Sequence, residues 1–478
     1  MRRLSALDAQ FLAAERANFG AHYCGLAVYR TRRGQPITAA KMRRLISERI
    51  GECPPLRWKL VTVPLGLDHP VFAETEIDLD DHVSETTLAA PADESTLAVE
   101  VASILSTPLD RDRPLWKLSV FHGLPGRTAV AFTLHHAAVD GIAAGEIFAK
   151  LLDICGDERS AVTELRQVPA DGLPSRAALA VRGLASLPFR PARTLLSAPR
   201  ALAHLDQVPA LRSLPGVHAV SRVVRRDLSA NRLDAPRTRF NARLSPARAV
   251  AFGTVPLADV KTVKNALGIT VNDVVIAMCA GAIRRRLAST GELPTEPLVA
   301  YLPVSTRLPD AEDRYGNSIT SIIAPIPTHL TDAHERLTFA HETLAVAKRR
   351  TAQAPPTLMS DVNEPIPAPM FGIAARGLMD LVSSQWVRPP INLIISNVPG
   401  SPVGLACAGA PLLANYPFSL VFDGFALNIT VVSYQQGLDV GIVGDAKALP
   451  DAWDLMADIR NELAELSRLV TTERSADC

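Results

Sequence analysis

Nothing in this 478-residue sequence approaches 18 consecutive apolar residues, so no segment reads as a bilayer-spanning helix. The N-terminus, from Met1 to Glu15 (MRRLSALDAQFLAAE), starts basic but lacks the apolar core of a secretory signal. Cysteine is scarce: Cys24, Cys53, Cys155, Cys279, Cys407 and Cys478 are scattered, with no CxxC spacing. That argues against a zinc site or a disulfide framework and for a reducing compartment. Lysine is rarer still, 8 residues against 42 arginines. We read this bias as the base composition of a GC-rich bacterial genome. The net charge of +1 gives no support to nucleic-acid binding. No GxSxG is present, which disfavours a serine nucleophile. The expectation is a cytoplasmic protein, soluble or peripheral.

With 47% hydrophobic and 21% charged residues, the chain is globular, and its length calls for two domains. We place an N-terminal domain over residues 1–170, a crossover over 171–248 and a C-terminal domain over 249–478. In the first part, the β-rich runs Gly25–Arg30, Lys117–His122 and Thr128–Leu134 alternate with helical patterns at Thr38–Ile50 and Thr96–Leu105. The crossover holds fourteen Arg, no Lys and four Asp, with eight prolines that cut it into short pieces. It reads as a partly helical connection with a basic surface. That surface is either solvated or a contact for anionic lipid, each basic residue there being worth roughly 1 kcal/mol.

The last part opens with a strand, Ala249–Val255, and then a helix apolar on every side, Thr270–Arg286, which should be buried. Thr270 or Asn272 can cap it, Asp273 suits its first turn, and Arg284, Arg285 and Arg286 suit the C-terminal end of its dipole. Strand-like runs follow at Leu298–Leu302, Ile319–Ile326, Ile391–Ser396, Leu427–Ser433 and Leu438–Val443.

Chemistry concentrates in Leu134-His-His-Ala-Ala-Val-Asp-Gly141, where a strand ends and a helix begins. Successive strand residues point to opposite faces, so His135 and His136 cannot share one cavity if the strand continues through both. One can serve as a base near neutral pH while the other packs or bonds behind it. Asp140 can fix the loop by an ion pair or cap the helix. Gly141 allows a special backbone angle or the close approach of a substrate. The plain alternatives are a structural histidine, a metal site and a simple helix cap. A metal is disfavoured because no further Cys or His stands at a ligand-like spacing.

His135-His136-Ala-Ala-Val-Asp140-Gly141 resembles the HHxxxDG motif of CoA-dependent acyltransferases of the chloramphenicol-acetyltransferase type. Further matches narrow the resemblance to the bacterial wax ester synthase/diacylglycerol acyltransferase family. They are Leu4–Leu12 (LSALDAQFL), Pro114-Leu-Trp116, Thr270-Val-Asn272-Asp273, Pro303-Val-Ser-Thr-Arg307, Gly316-Asn317, Ser396-Asn397-Val-Pro-Gly400 and Leu427–Tyr434. Two positions depart: Ala21-His22 stands where the family often has Met-His, and Ser401 replaces the proline usual after SNVPG. Both bear on substrate preference more than on catalysis.

The resemblance implies an α/β fold of two chloramphenicol-acetyltransferase-like domains with the active-site channel between them. It implies that His136 is the general base, removing the acceptor hydroxyl proton as the oxygen attacks a long-chain acyl-CoA thioester. Acyl-CoA is then a co-substrate, with no acyl-enzyme, bound cofactor or metal. Asp140 would hold the loop, with Arg307 as its candidate partner. Asn272 would donate to the developing oxyanion, its plain alternative being a helix cap. Pro114 and Trp116 read as packing residues, and Asn397 as lying near the channel on the CoA side.

The implied function is triacylglycerol synthesis from diacylglycerol. Wax ester synthesis from fatty alcohols and a non-catalytic lipid-binding relative are the alternatives. A peptide-bond condensation domain is disfavoured, since no carrier or adenylation segment accompanies the motif. Apolar substrates imply peripheral contact with the inner membrane face or with lipid droplets, through the basic crossover.

Overall fold

The runs His22–Arg30 and Arg127–His135 pair antiparallel, His22 opposite His135, and this pair is the centre from which the architecture grows. The computed structural model describes the chain except residues 17–18, 32–34, 156–171, 187–197, 209, 227–232, 306–314, 318, 356, 364–365 and 477–478. Its strands in the first part are β1 (Arg2–Arg3), β2 (His22–Arg30), β3 (Trp58–Val61), β4 (Val71–Glu74), β5 (Val83–Thr87), β6 (Trp116–His122), β7 (Arg127–His135) and β8 (Asp153–Ile154). Those beyond are β9 (Arg248–Pro256), β10 (Leu298–Ser305), β11 (Ile319–Ile326), β12 (Leu393–Val398), β13 (Leu405–Cys407), β14 (Ala410–Phe418), β15 (Leu427–Tyr434) and β16 (Gly437–Asp445).

They build a large sheet ordered β5-β6-β7-β2-β14-β13-β8, a second ordered β11-β10-β12-β15-β16-β9, and a small one ordered β1-β4-β3. The first sheet is buried on both faces. Tyr29, Phe132 and Leu118 meet the helices α2 (Ala39–Arg49) and α4 (Gly141–Leu151) on one side. Leu26, Ala131 and Phe418 meet α3 (Glu94–Ser106) and the β9 face on the other. Strands apolar on both faces read as near-continuous hydrophobic runs, which is why β2 and β7 stand out in the sequence.

Two strands of the C-terminal part, β13 and β14, join this first sheet, β14 pairing antiparallel with β2. The hairpin therefore crosses the boundary drawn at residue 249. It also brings the sheets together, since Gly441 of β16 lies so close to the Pro417 carbonyl of β14 that a Cβ would collide with it. Asp439 of β16 accepts from Asn415 N (2.7 Å) and from Thr254 Oγ1 (2.6 Å), tying β14 to β16 and β9.

In the second part, the helix Val271–Ser289 is the core element, buried along most of its length among Leu298, Leu337 and Ile459. Its three terminal arginines do more than face a dipole. Arg285 pairs with Glu462 and Glu465, Arg286 with Asp454 (3.1 Å) and Asp458, and Arg284 donates to Thr328 O (3.1 Å). Among the described residues no single helix is long and apolar enough to cross a membrane.

The crossover is partly helical, with α5 (Arg176–Ser186) and a helix at Val217–Arg225. Its basic excess is less of a surface feature than counting suggests. Arg225 pairs with Asp206 (3.1 Å) and Arg248 with buried Asp445 (3.8 Å). Arg237 donates to the carbonyls of Ser384 and Val387, and Arg212 to that of Leu233. Arg176, Arg182, Arg200 and Arg226 are exposed, as is Arg243, which pairs with Asp380 (3.3 Å).

Candidate active site

At the end of β7 the backbone of both histidines is fixed from outside the strand. His135 N donates to Leu115 O (3.0 Å), and His136 N to Ala21 O (2.9 Å). The side chains then diverge as the pleat requires. The buried ring of His135 accepts from Ala137 N at Nδ1 (2.9 Å), so its proton sits on Nε2 and is donated to Glu15 Oε1 (3.1 Å). Burial alone would raise the Glu15 pKa. The bonds from His135, Arg111 and Ala21 outweigh it and bring the carboxyl down to about 2.

His136 has a different environment. Its ring stacks on Phe11 with centroids 5.1 Å apart. Both ring nitrogens are enclosed and make no close hydrogen bond among the described residues, the Asn317 side chain acting on the ring only as a small opposing influence. Burial, helped by the fields of His135 and His22, pushes its pKa down to about 3, so the ring is neutral with a lone pair available. His22, across from His135, is lowered to about 4, first by burial, while its Nε2 lies 3.1 Å from Ile104 O.

The loop after the histidines is held by residues that sequence reasoning left without a role. The Asn317 side-chain amide donates to the His136 carbonyl (2.5 Å) and to Asp8 Oδ1 (2.8 Å), and Asn317 N donates to the same carboxylate (3.0 Å). Gly316 bridges to Val139, its N–H reaching Ala138 O (3.1 Å). Its φ of +85 and the Arg2 guanidinium packed against it leave no room for a side chain. Asp8 and Phe11 both project from α1 (Ala6–Ala14), three residues apart and hence on one face. The signal was present in LSALDAQFL and Gly316-Asn317, but their meeting with the histidines is not readable along the chain.

The other expected site residues fall as follows. Asp140 is buried and caps α4, its Oδ1 accepting from Ala143 N (2.9 Å). Arg307 lies outside the described residues. Gly141 is the first residue of α4 and does not adopt a left-handed angle, which corrects the expectation of special backbone geometry. A Cβ there would make an ordinary contact with Val398 of β12, at 3.7 Å.

The cap of the core helix is Thr270, in a capping box with Asp273, and not Asn272, which follows half-buried at the second helical position. Asp273 also meets His341 Nδ1 (2.9 Å). Asn397 lines a cavity of about 440 Å³ together with Val271, Gly400, Ser401 and Gln435. Pro114, Leu115 and Trp116 hold the strand end: Leu115 supplies the carbonyl for His135, and Trp116 bonds Leu56 O through Nε1 (2.7 Å) while stacking on His82. Among the described residues no group of three His, Cys, Asp or Glu side chains could hold a metal ion.

Residues 4–275 match the family described as wax ester synthase/diacylglycerol acyltransferase catalytic domain, and residues 315–467 the WS/DGAT C-terminal domain. A Mycobacterium tuberculosis protein assigned as a diacylglycerol O-acyltransferase is 34% identical over 471 residues, covering 98% of this chain and 90% of its own. The O-acyltransferase WSD of Acinetobacter baylyi is 31% identical, covering 97% of this chain and 96% of its own. The solved wax ester synthase/diacylglycerol acyltransferase from Marinobacter aquaeolei superposes with a TM-score of 0.68 at 26% identity, over 98% of this chain and all of that one. The first condensation domain of the calcium-dependent antibiotic synthetase shares the fold, with a TM-score of 0.57 at 16% identity. The two-domain α/β architecture is thus common to both groups.

Proposed function

The chain belongs to the wax ester synthase/diacylglycerol acyltransferase family and is an acyltransferase, and on that premise we propose that it moves a long-chain acyl group from acyl-CoA to the hydroxyl of diacylglycerol, with His136 as general base. The observation that carries the role of His136 is its ring: buried, neutral and without a close hydrogen bond at either nitrogen among the described residues. His135, by contrast, has both nitrogens committed. As the acceptor oxygen attacks the thioester carbonyl, its proton passes to His136. The tetrahedral adduct collapses with cleavage of the C–S bond, and the departing thiolate takes the proton back. Atoms and charge balance, with an ester and free CoA as products. Diacylglycerol is favoured over a fatty alcohol because Mycobacterium tuberculosis relatives sharing 30–34% identity over nearly the whole chain carry the diacylglycerol O-acyltransferase name, while the 31% identical Acinetobacter baylyi relative is named an O-acyltransferase without that acceptor.

We test this by CoA release from palmitoyl-CoA, with diacylglycerol and hexadecanol in separate reactions. Release should depend on the acceptor, favour diacylglycerol and fall about 10²–10⁴-fold in His136→Ala. Preference for hexadecanol would make the chain a wax ester synthase. No release with either acceptor would leave a lipid-binding relative.

Both substrates carry long apolar chains, so we also propose that the enzyme works at a lipid surface, on the inner membrane face or on droplets. Support comes from side chains exposed around the turn at Pro64–Gly66: Leu65 (88% exposed), Val181 and Leu184 of α5, and Met370 and Ile373 of the helix Ala368–Val382. Gly183 lies against Leu67 and His69 against Phe371, so these elements are neighbours. Arg176 and Arg182 flank the patch on α5. Val181→Asp with Leu184→Asp should lower partitioning onto anionic vesicles, read by sedimentation, and unchanged partitioning would remove this surface from consideration. Arg225 is a poor probe, because reversing its charge would break the Asp206 pair.

A further inference from the structure

We infer that Glu15 is a positioning residue for the acyl transfer, acting through His135 to aim His136. The inference rests on His136 being the base. The Glu15 side chain is 6% exposed, and both of its oxygens accept hydrogen bonds. Oε1 accepts from His135 Nε2 (3.1 Å) and from Ala21 N (2.9 Å). Oε2 accepts from Arg111 Nε (3.1 Å) and Nη2 (2.5 Å).

Both bonds to Oε1 lead back to His136. Ala21, whose N–H is held by the carboxylate, offers its carbonyl to His136 N. His135, held at Nε2, offers Nδ1 to Ala137 N, the amide on the far side of His136. The peptide groups on both sides of His136 are thus anchored to one carboxylate, each through a single intermediary. Reacting groups must be held within fractions of an ångström of the productive geometry, so a restraint of this kind acts on rate more than on substrate affinity.

The carboxylate also selects the tautomer of His135. With Glu15 accepting at Nε2, the Nδ1 lone pair is free to receive Ala137 N–H. If the proton moved to Nδ1, two donors would face each other in a buried site, and the loop would have to shift. Arg111 stabilises the anion that makes this choice. The side chain of Glu15 therefore does for His135 what an orienting carboxylate does for a catalytic imidazole, one residue removed from the chemistry.

The test uses full-length protein with isotope-labelled histidine and the CoA-release assay. In the native protein, nitrogen NMR should find His135 with Nε2 protonated and Nδ1 bare. Glu15→Gln should disturb that tautomer, lower kcat at least tenfold and leave the KM values within about threefold, while Glu15→Asp, too short to reach both donors, should not rescue it. An Nδ1-protonated His135 in the native protein overturns the inference whatever the variants do. So does a Glu15→Gln enzyme with altered tautomer and native kcat. If His136→Ala retains activity, the base assignment fails instead, and the tautomer result still stands or falls on its own. Should Glu15→Gln not fold, Arg111→Leu provides the second variant, with a smaller loss of kcat expected and native kcat counting against the inference.

Discussion

Lowering the pH from 8 to 5.5 separates a buried, neutral His136 from an ordinary catalytic histidine. With an ordinary pKa near 6.5, about 90% of the base would be protonated at pH 5.5, and kcat/KM would fall about tenfold. With the pKa pushed down to about 3 by burial, well under about 1% is protonated, and kcat/KM should stay level. The quantity to measure is kcat/KM for diacylglycerol at saturating acyl-CoA, because the acceptor carries no titrating group.

Stability must be followed in parallel, since the same shift destabilises the fold in acid. His136 and His22 are neutral in the folded chain where the unfolded chain binds protons. Stability therefore falls as pH drops below about 6.5 and continues to fall until about 4 for His22 and about 3 for His136. At pH 5.5 the unfolded state gains about 1.4 kcal/mol from each, roughly 3 kcal/mol together, against a typical total of about 5–15. The protein should remain folded there by circular dichroism. A tenfold fall in kcat/KM with unchanged circular dichroism would refute the reasoning, because the base would then be a solvated histidine or another group.

Three further outcomes follow from named contacts. Asn317→Ala removes a bond to buried Asp8 and one to the His136 carbonyl, and should cost about 2–4 kcal/mol in urea denaturation and about 10–100-fold in kcat. Gly441→Ala puts a methyl where the Pro417 carbonyl sits, and should cost about 1–3 kcal/mol with little change in KM, measured by thermal melting and steady-state kinetics. Thr270→Ala should lose about 1 kcal/mol of helix capping while Thr270→Ser keeps it, which urea midpoints of the two variants will compare.

The histidine loop was legible because its logic is local: strand, turn and capped helix follow one another between Arg127 and Leu151, governed by the pleat. The core helix Val271–Ser289 was legible for the same kind of reason, its apolar run being bounded by a cap and a basic end. What escaped reading depends on contacts between distant segments. Glu15 meets His135 across 120 positions and Asp8 meets Asn317 across 309, and neither carboxylate differs along the chain from one facing water. Strand β14 was hidden by Pro411 and Pro417, which argue against an interior strand. It is nevertheless interior, lying between β2 and β13. Charge misled in a systematic way. Arg225 and Arg248 count toward a basic surface until the fold supplies Asp206 and Asp445, and a sum along the chain cannot separate a solvated cation from one that ties two elements together. Patterns enforced by backbone geometry can therefore be read before the fold is known, whereas electrostatic patterns acquire their meaning only after the fold has chosen the partners.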